Sequence, residues 1–256
     1  MVTIYRGTNT PVFIGSTFVK RAQSFNVIMT NNEEVVSELN NSVPVGIISR
    51  ALDYTASMTI NEVGQGILGA LGITSFAEYG VSPTEVTIAS LAYGITGAIV
   101  SSIILESDVK SPATMNAEFI GKGVTTNLTA TPAVDLTLPG AIMYPLCNAS
   151  VGTHIQKVTL SARNEVKLIY EFGTTTPVGW TLGKQSVRLE IECLHPGACP
   201  QYLLESAAQD IVVTISGLSL TVKRCITTGE PKAGSVRGWI TNRYMYESLD
   251  SNFIVS

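Results

Sequence analysis

One stretch of this chain occurs twice, and that repetition limits the folds available to it. Residues 22–60 (AQSFNVIMTNNEEVVSELNNSVPVGIISRALDYTASMTI) return 133 positions later as residues 155–193 (IQKVTLSARNEVKLIYEFGTTTPVGWTLGKQSVRLEIEC). Without a gap the copies share Gln23/Gln156, Asn31/Asn164, Glu38/Glu171 and the triplet Pro44-Val45-Gly46/Pro177-Val178-Gly179. The apolar register agrees as well: Phe25/Val158, Val27/Leu160, Val36/Ile169, Leu39/Phe172, Tyr54/Val187, Ala56/Leu189, Met58/Ile191 and Ile60/Cys193 all pair apolar with apolar. A slip of one residue would turn every such side chain to the other face of a strand, so matched alternation is a structural constraint.

The offset is about half of the 256 residues, which favours two units, residues 1–132 and 133–256, each long enough to bury a core. Charged residues make up only 14% of the chain and the formal net charge is −4. Mean hydropathy is +0.28. So little polar surface implies that other subunits cover much of the exterior, and the lack of basic excess argues against tight binding of a phosphate backbone.

Along the chain, Ala22–Met29 and Tyr54–Ile60 alternate as strands. In the second copy Val187, Leu189, Ile191 and Cys193 alternate against Arg188, Glu190 and Glu192. One apolar and one polar face is the pattern of an antiparallel sheet wetted on one side. Between the strands the chain makes a long excursion, residues 40–52 around Pro44-Val45-Gly46, of a length that is more often functional than idle. Asn31 and Asn164 either cap a helical turn or sit in bent, continuing strands. Short helices are expected at Gly66–Tyr79 and Pro200–Gln209, with proline suited to a first helical position. Thr114–Ile120 and Gly234–Ile240 read as closing strands, with Phe119 placed over Trp239. The Thr-rich stretch from Gly121 to Gly140 reads as the linker. The fold class is therefore mainly β: two tandem antiparallel β-sandwich or β-barrel-like domains, each with one short flanking α-helix.

Chemistry is scarce. The histidines are His154 and His195, neither with the neighbours of a triad or metal site, and no P-loop, Gly-x-Ser-x-Gly, HExxH or dinucleotide fingerprint occurs. Glu190 and Glu192 resemble a glycosidase or metal pair, but nothing converges on them, and a solvated strand face fits better. Cys193 and Cys199 bracket a short loop that either closes as a disulfide, joins His195 at a zinc, or leaves plain thiols. No enzyme, metal or cofactor is expected. The start of the chain shows no basic segment followed by an apolar run, so no signal peptide is read there, and the sequons at Asn40, Asn127 and Asn148 lack an indicated secretory route. Val86–Leu105 carries no charge over a length that could cross a bilayer. Its β-branched residues and central Tyr93-Gly94 favour strands, and no membrane insertion is expected.

The strand–loop–strand unit, carried by Gln23–Glu38 with Asp53–Asn61 and again by Gln156–Glu171 with Gln185–Glu192, resembles the tail tube (major tail) proteins of tailed bacteriophages. The sequence departs from them at the loop, which is Asn-Ser-Val-Pro-Val-Gly here instead of an aromatic-rich stretch. The resemblance implies a virion protein of the tail, assembled in the host cytoplasm, whose rings stack into a channel for DNA. Two tube domains in one chain imply a trimer with pseudo-sixfold symmetry. It further implies that Thr55, Ser57, Thr59, Arg188, Glu190 and Glu192 line the lumen. Contacts between rings would fall to Pro44, Val45, Gly46, Arg50, Pro177, Val178, Gly179 and Trp180. The partners implied are the chain itself and the tape measure, sheath, tail terminator and baseplate proteins, with DNA passing through without specific binding. The alternative from another class is a surface or secreted β-sandwich adhesin that uses the same loops to hold a ligand.

Overall fold

A computed structural model of the chain describes residues 2–7, 11–19, 22–36, 46–61, 64–73, 75–76, 84–90, 93–109, 111, 113–126, 147–149, 155–194, 205–215, 218–228, 232–236 and 239–255. It is mainly β. The first half contains β1 (Val2–Gly7), β2 (Val12–Ile14), β3 (Thr17–Val19), β4 (Ala22–Val36), β5 (Gly46–Ile60), helix α1 (Gln65–Ala70), β6 (Ser75–Phe76), β7 (Val86–Ser90), β8 (Gly94–Asp108), β9 (Thr114–Gly121) and β10 (Gly123–Thr125). The second half contains β11 (Cys147–Ala149), β12 (Ile155–Ile169), β13 (Gly179–Leu194), a single 3-10 turn (Glu205–Ala207), β14 (Gln209–Ile215), β15 (Leu218–Thr227), β16 (Lys232–Val236), β17 (Trp239–Ser248) and β18 (Phe253–Val255).

The repeat survives in three dimensions, residue for residue. Strands β4 and β5 form a long hairpin whose register slips between Ala22 and Ser24 and again between Asn31 and Glu33. Strands β12 and β13 form its copy, slipping between Ile155 and Lys157 and between Asn164 and Val166, the same positions shifted by the repeat. A bulge bends a strand and increases its twist, so a shared bulge means a shared curvature. Asn31 and Asn164 thus sit in bent strands, and the helical-turn alternative falls away. Of the expected excursion, residues 46–52 belong to β5, and residues 40–45 lie outside the described residues.

Equivalence extends beyond the hairpins. The β7–β8 pair (Val86↔Ala98, Ile88↔Ile95) corresponds to β14–β15 (Gln209↔Cys225, Ile211↔Val222), each with one bulge. Gly97 and Arg224 fall at the same place in the two copies, and both have positive φ, 56° and 42°. The closing strand of the second copy is β17, however. Ala56 pairs with Phe119 and Leu189 with Tyr246, so Phe119 corresponds to Tyr246 and not to Trp239.

Strand pairing runs β1-β4-β5-β9-β8-β12-β13-β17-β16, antiparallel throughout, so one sheet passes through both halves. Its seam is β8 against β12, from Ser102↔Arg163 to Asp108↔Lys157. The first part of β8 turns into a second pairing set, β3-β2-β7-β8-β10, and in the other half β11-β14-β15-β18 does the same. Strand β6 from the first half pairs with β18 of the second.

Apolar faces of these layers meet in one buried cluster that includes Phe25, Met58, Ile95 and Phe119 from the first half and Leu160, Ile191, Val222 and Tyr246 from the second. Phe25 stacks on Tyr93 with ring centroids 5.7 Å apart, and the Tyr93 hydroxyl donates to the Phe25 carbonyl at 3.2 Å. Burying each such large side chain contributes about 1.5–3 kcal/mol. Among the described residues helix is confined to α1 and the Glu205–Ala207 turn, so the second expected helix is reduced there to that turn, Pro200–Leu204 lying outside them. The boundary near residue 132 and most of the linker also lie outside the described residues. Within Val86–Leu105 the described residues form β7 and the first part of β8, and no helix among the described residues is long and apolar enough to cross a membrane.

Candidate functional site

Two surfaces stand out, one a sheet face and the other a hairpin end. Alternation on β5 buries Tyr54, Ala56, Met58 and Ile60 and turns Thr55, Ser57 and Thr59 the other way. On β13 Val187, Leu189, Ile191 and Cys193 are buried, while Arg188, Glu190 and Glu192 face outward. The register joins these positions across the seam. Ser57 pairs with Glu118, Glu118 with Ser102, Ser102 with Arg163, and Arg163 with Ser186. All six residues expected to line a lumen therefore lie on one uninterrupted sheet face.

That face carries balanced charge with a slight acidic excess. The Lys157 ammonium meets Glu106 at 2.7 Å across the seam, Arg243 meets Glu190, and Arg188 approaches Glu247 at 3.8 Å. Hydrogen bonding to Glu190 raises the already high pKa of the Arg243 guanidinium. Glu118 adds negative charge near neutral Thr59, whose hydroxyl donates to the Asn116 side chain at 2.8 Å. A shallow depression on this face is bordered by Thr159, Ser161, Arg188, Glu190, Met245 and Glu247. It holds no convergent acid–base pair. Among the described residues there is no group of His, Cys, Asp and Glu able to hold a metal ion. Cys193 and Cys225 are buried, and burial pushes the Cys225 thiol up to about 12. His154, His195 and Cys199 lie outside the described residues.

The second surface is the end of the β12–β13 hairpin. Residues 170–178 lean back over the first half. The Leu52 amide donates to the Thr175 carbonyl at 2.8 Å, and the Tyr170 hydroxyl lies 2.7 Å from an Asp53 carboxylate oxygen and 3.0 Å from the Leu52 carbonyl. Desolvation, and then the bond to Asp53, raises the Tyr170 pKa above its usual value. Trp180 donates its indole N–H to Glu85 at 2.7 Å, and the same carboxylate meets Lys122. The Lys122 ammonium foremost, and the indole after burial's opposing effect, hold Glu85 below the usual carboxylate range. Thus Trp180 is engaged within the chain and Pro177 is buried, while Val178 is exposed and Gly179 opens β13. In the first copy Gly46 opens β5 and Arg50 lies along it; Pro44 and Val45 are outside the described residues.

The hairpin end also exposes a residue that the sequence reading assigned to the apolar register. Phe172 is 109% exposed, flanked by exposed Ile169 and Val178. Gly173, with φ of 87°, makes the turn beside it. The signal was present, since an aromatic residue followed by Gly-Thr-Thr-Thr-Pro lies in turn chemistry, where alternation no longer describes burial. No protein-family model matches the chain, and comparison with curated proteins gives no match.

Proposed function

We propose that this chain is the subunit of a phage-tail-type tube, closing into rings that stack around a channel for DNA. The observation that carries the reading is the seam: two copies of one twice-bulged hairpin are joined edge to edge in a single sheet by β8 and β12. A sheet that has already joined one copy to the next in this way can repeat the step between chains, and closing it removes the exposed edges. Three chains would supply six copies.

The polar face containing Thr55, Ser57, Thr59, Arg188, Glu190 and Glu192 would then line the channel. Its bases are largely met by acids, so it offers a phosphate backbone little to grip, which favours sliding over binding. Phe172 and Val178 at the hairpin end are suited to the neighbouring ring, because an exposed phenyl ring on a charge-poor surface gains from burial in a contact. On this reading the other partners are tape measure, sheath, terminator and baseplate proteins of a virion tail.

Negative-stain microscopy with native mass spectrometry, across a concentration series, tests the reading. Rings or tubes with a central channel, built from three chains, are expected. Monodisperse monomer at every concentration would overturn it.

A further inference from the structure

The two copies differ in what covers the outer edge of their first hairpin strand. In the second copy the edge of β12 is covered by β8, with Ser102 opposite Arg163, Leu105 opposite Leu160 and Ser107 opposite Val158. In the first copy the equivalent edge, that of β4, is covered by β1. There Val2 stands opposite Thr30, Tyr5 opposite Val27 and Gly7 opposite Phe25. Thr30, Val27 and Phe25 are the repeat equivalents of Arg163, Leu160 and Val158, so β1 occupies the place of β8, in its register and its direction.

The strand that repeats the seam part of β8 is elsewhere. Ile104 pairs with Asn116 on β9, and Lys232 pairs with Arg243, the equivalent position on β17. Strand β16 is therefore the second copy's seam strand. Among the described residues it pairs only with β17, leaving its outer edge open.

We infer that β1 is a placeholder: it holds the β4 edge in the isolated chain and is exchanged for β16 of a second copy of this chain during assembly. The inference rests on the ring reading above. Transferring the seam register sets Ala233 of the incoming copy opposite Val27 and Gly234 opposite Asn26. The exchange replaces one set of antiparallel backbone hydrogen bonds by another of similar strength. Tethering favours β1 in a dilute chain, and mass action favours β16 in a concentrated one. Until then β1 shields an edge that would otherwise template indiscriminate pairing.

Cysteine pairs test this, in a background with Cys147 and Cys199 changed to Ser. Directly opposed residues in antiparallel strands have Cα atoms about 4.5–5.5 Å apart, within disulfide range. Oxidised Arg6→Cys/Asn26→Cys, with β1 locked in place, is expected to stay monomeric and to form rings once reduced. Asn26→Cys/Gly234→Cys, oxidised after assembly, is expected to give a ladder of cross-linked chains on a denaturing gel. Rings formed equally well by the locked chain, or assembled rings without a ladder, would overturn the exchange while leaving the ring reading intact. If the unaltered chain never assembles, a variant lacking residues 1–9 decides: assembly by it supports the exchange, and failure of both chains removes the exchange and the ring reading together.

Discussion

Gly97 and Arg224 show what one duplicated backbone position demands of two different residues. Both have positive φ, which a side chain tolerates only at a cost of roughly 1–2 kcal/mol. Arg224 is held there by its amide donating to Asp210 at 3.0 Å and its guanidinium meeting Asp250 at 2.8 Å. Gly97→Ala is expected to destabilise the fold by about 1 kcal/mol, since the new Cβ also approaches the Lys122 stem. Urea titration would detect that loss, and an unchanged midpoint would deny the strain.

Tyr170 sets a second expectation at this scale. Tyr170→Phe removes a hydroxyl bonded to the first half and should cost about 1 kcal/mol at neutral pH. Its raised pKa, like those of Tyr246 and Cys225, means that the folded chain holds these protons more tightly than the unfolded one. Their contribution is fully present below the unfolded values and is lost as pH rises through the folded ones. For Cys225 that window runs from its ordinary 9.0 up to about 12. Denaturation midpoints should therefore fall on the alkaline side, and less steeply in Cys225→Ala. Parallel pH profiles for the two proteins would contradict this.

At the scale of elements, the β12–β13 hairpin does different jobs along its length. The bulged middle parts build the sheet, and the free end of β12–β13 reaches across to β5 while exposing Phe172. Phe172→Ser touches no core contact, so it is expected to leave the melting temperature unchanged and to reduce tube length in negative-stain images. Tubes of ordinary length would remove the hairpin end from the stacking contact. The hairpins were legible in the sequence because alternation runs through most of their length. Their extent was underestimated: the shared bulges at Asn31 and Asn164 break the alternation and imitate loop boundaries. The closing strand was misplaced for a different reason. The offset between the copies falls from 133 in the hairpins to 127 by Gly97 and Arg224 and stays there, so that Phe119 falls over Tyr246.

For the whole molecule, the seam is the deciding feature. The β8–β12 pairing makes one sheet and one buried cluster out of a duplicated chain, and it places Thr55, Ser57 and Thr59 on the same face as Arg188, Glu190 and Glu192. The repeat, the alternation along the hairpin strands and the polar character of that face could be read from the residues alone. These follow from the two-residue period of a strand, which is a local property. Which edges meet is settled by tertiary packing. Backbone N–H and C=O groups are the same at every residue, so a sequence does not mark β12 as the partner of β8, β1 as the cover of β4, or β16 as a strand that among the described residues pairs on one side.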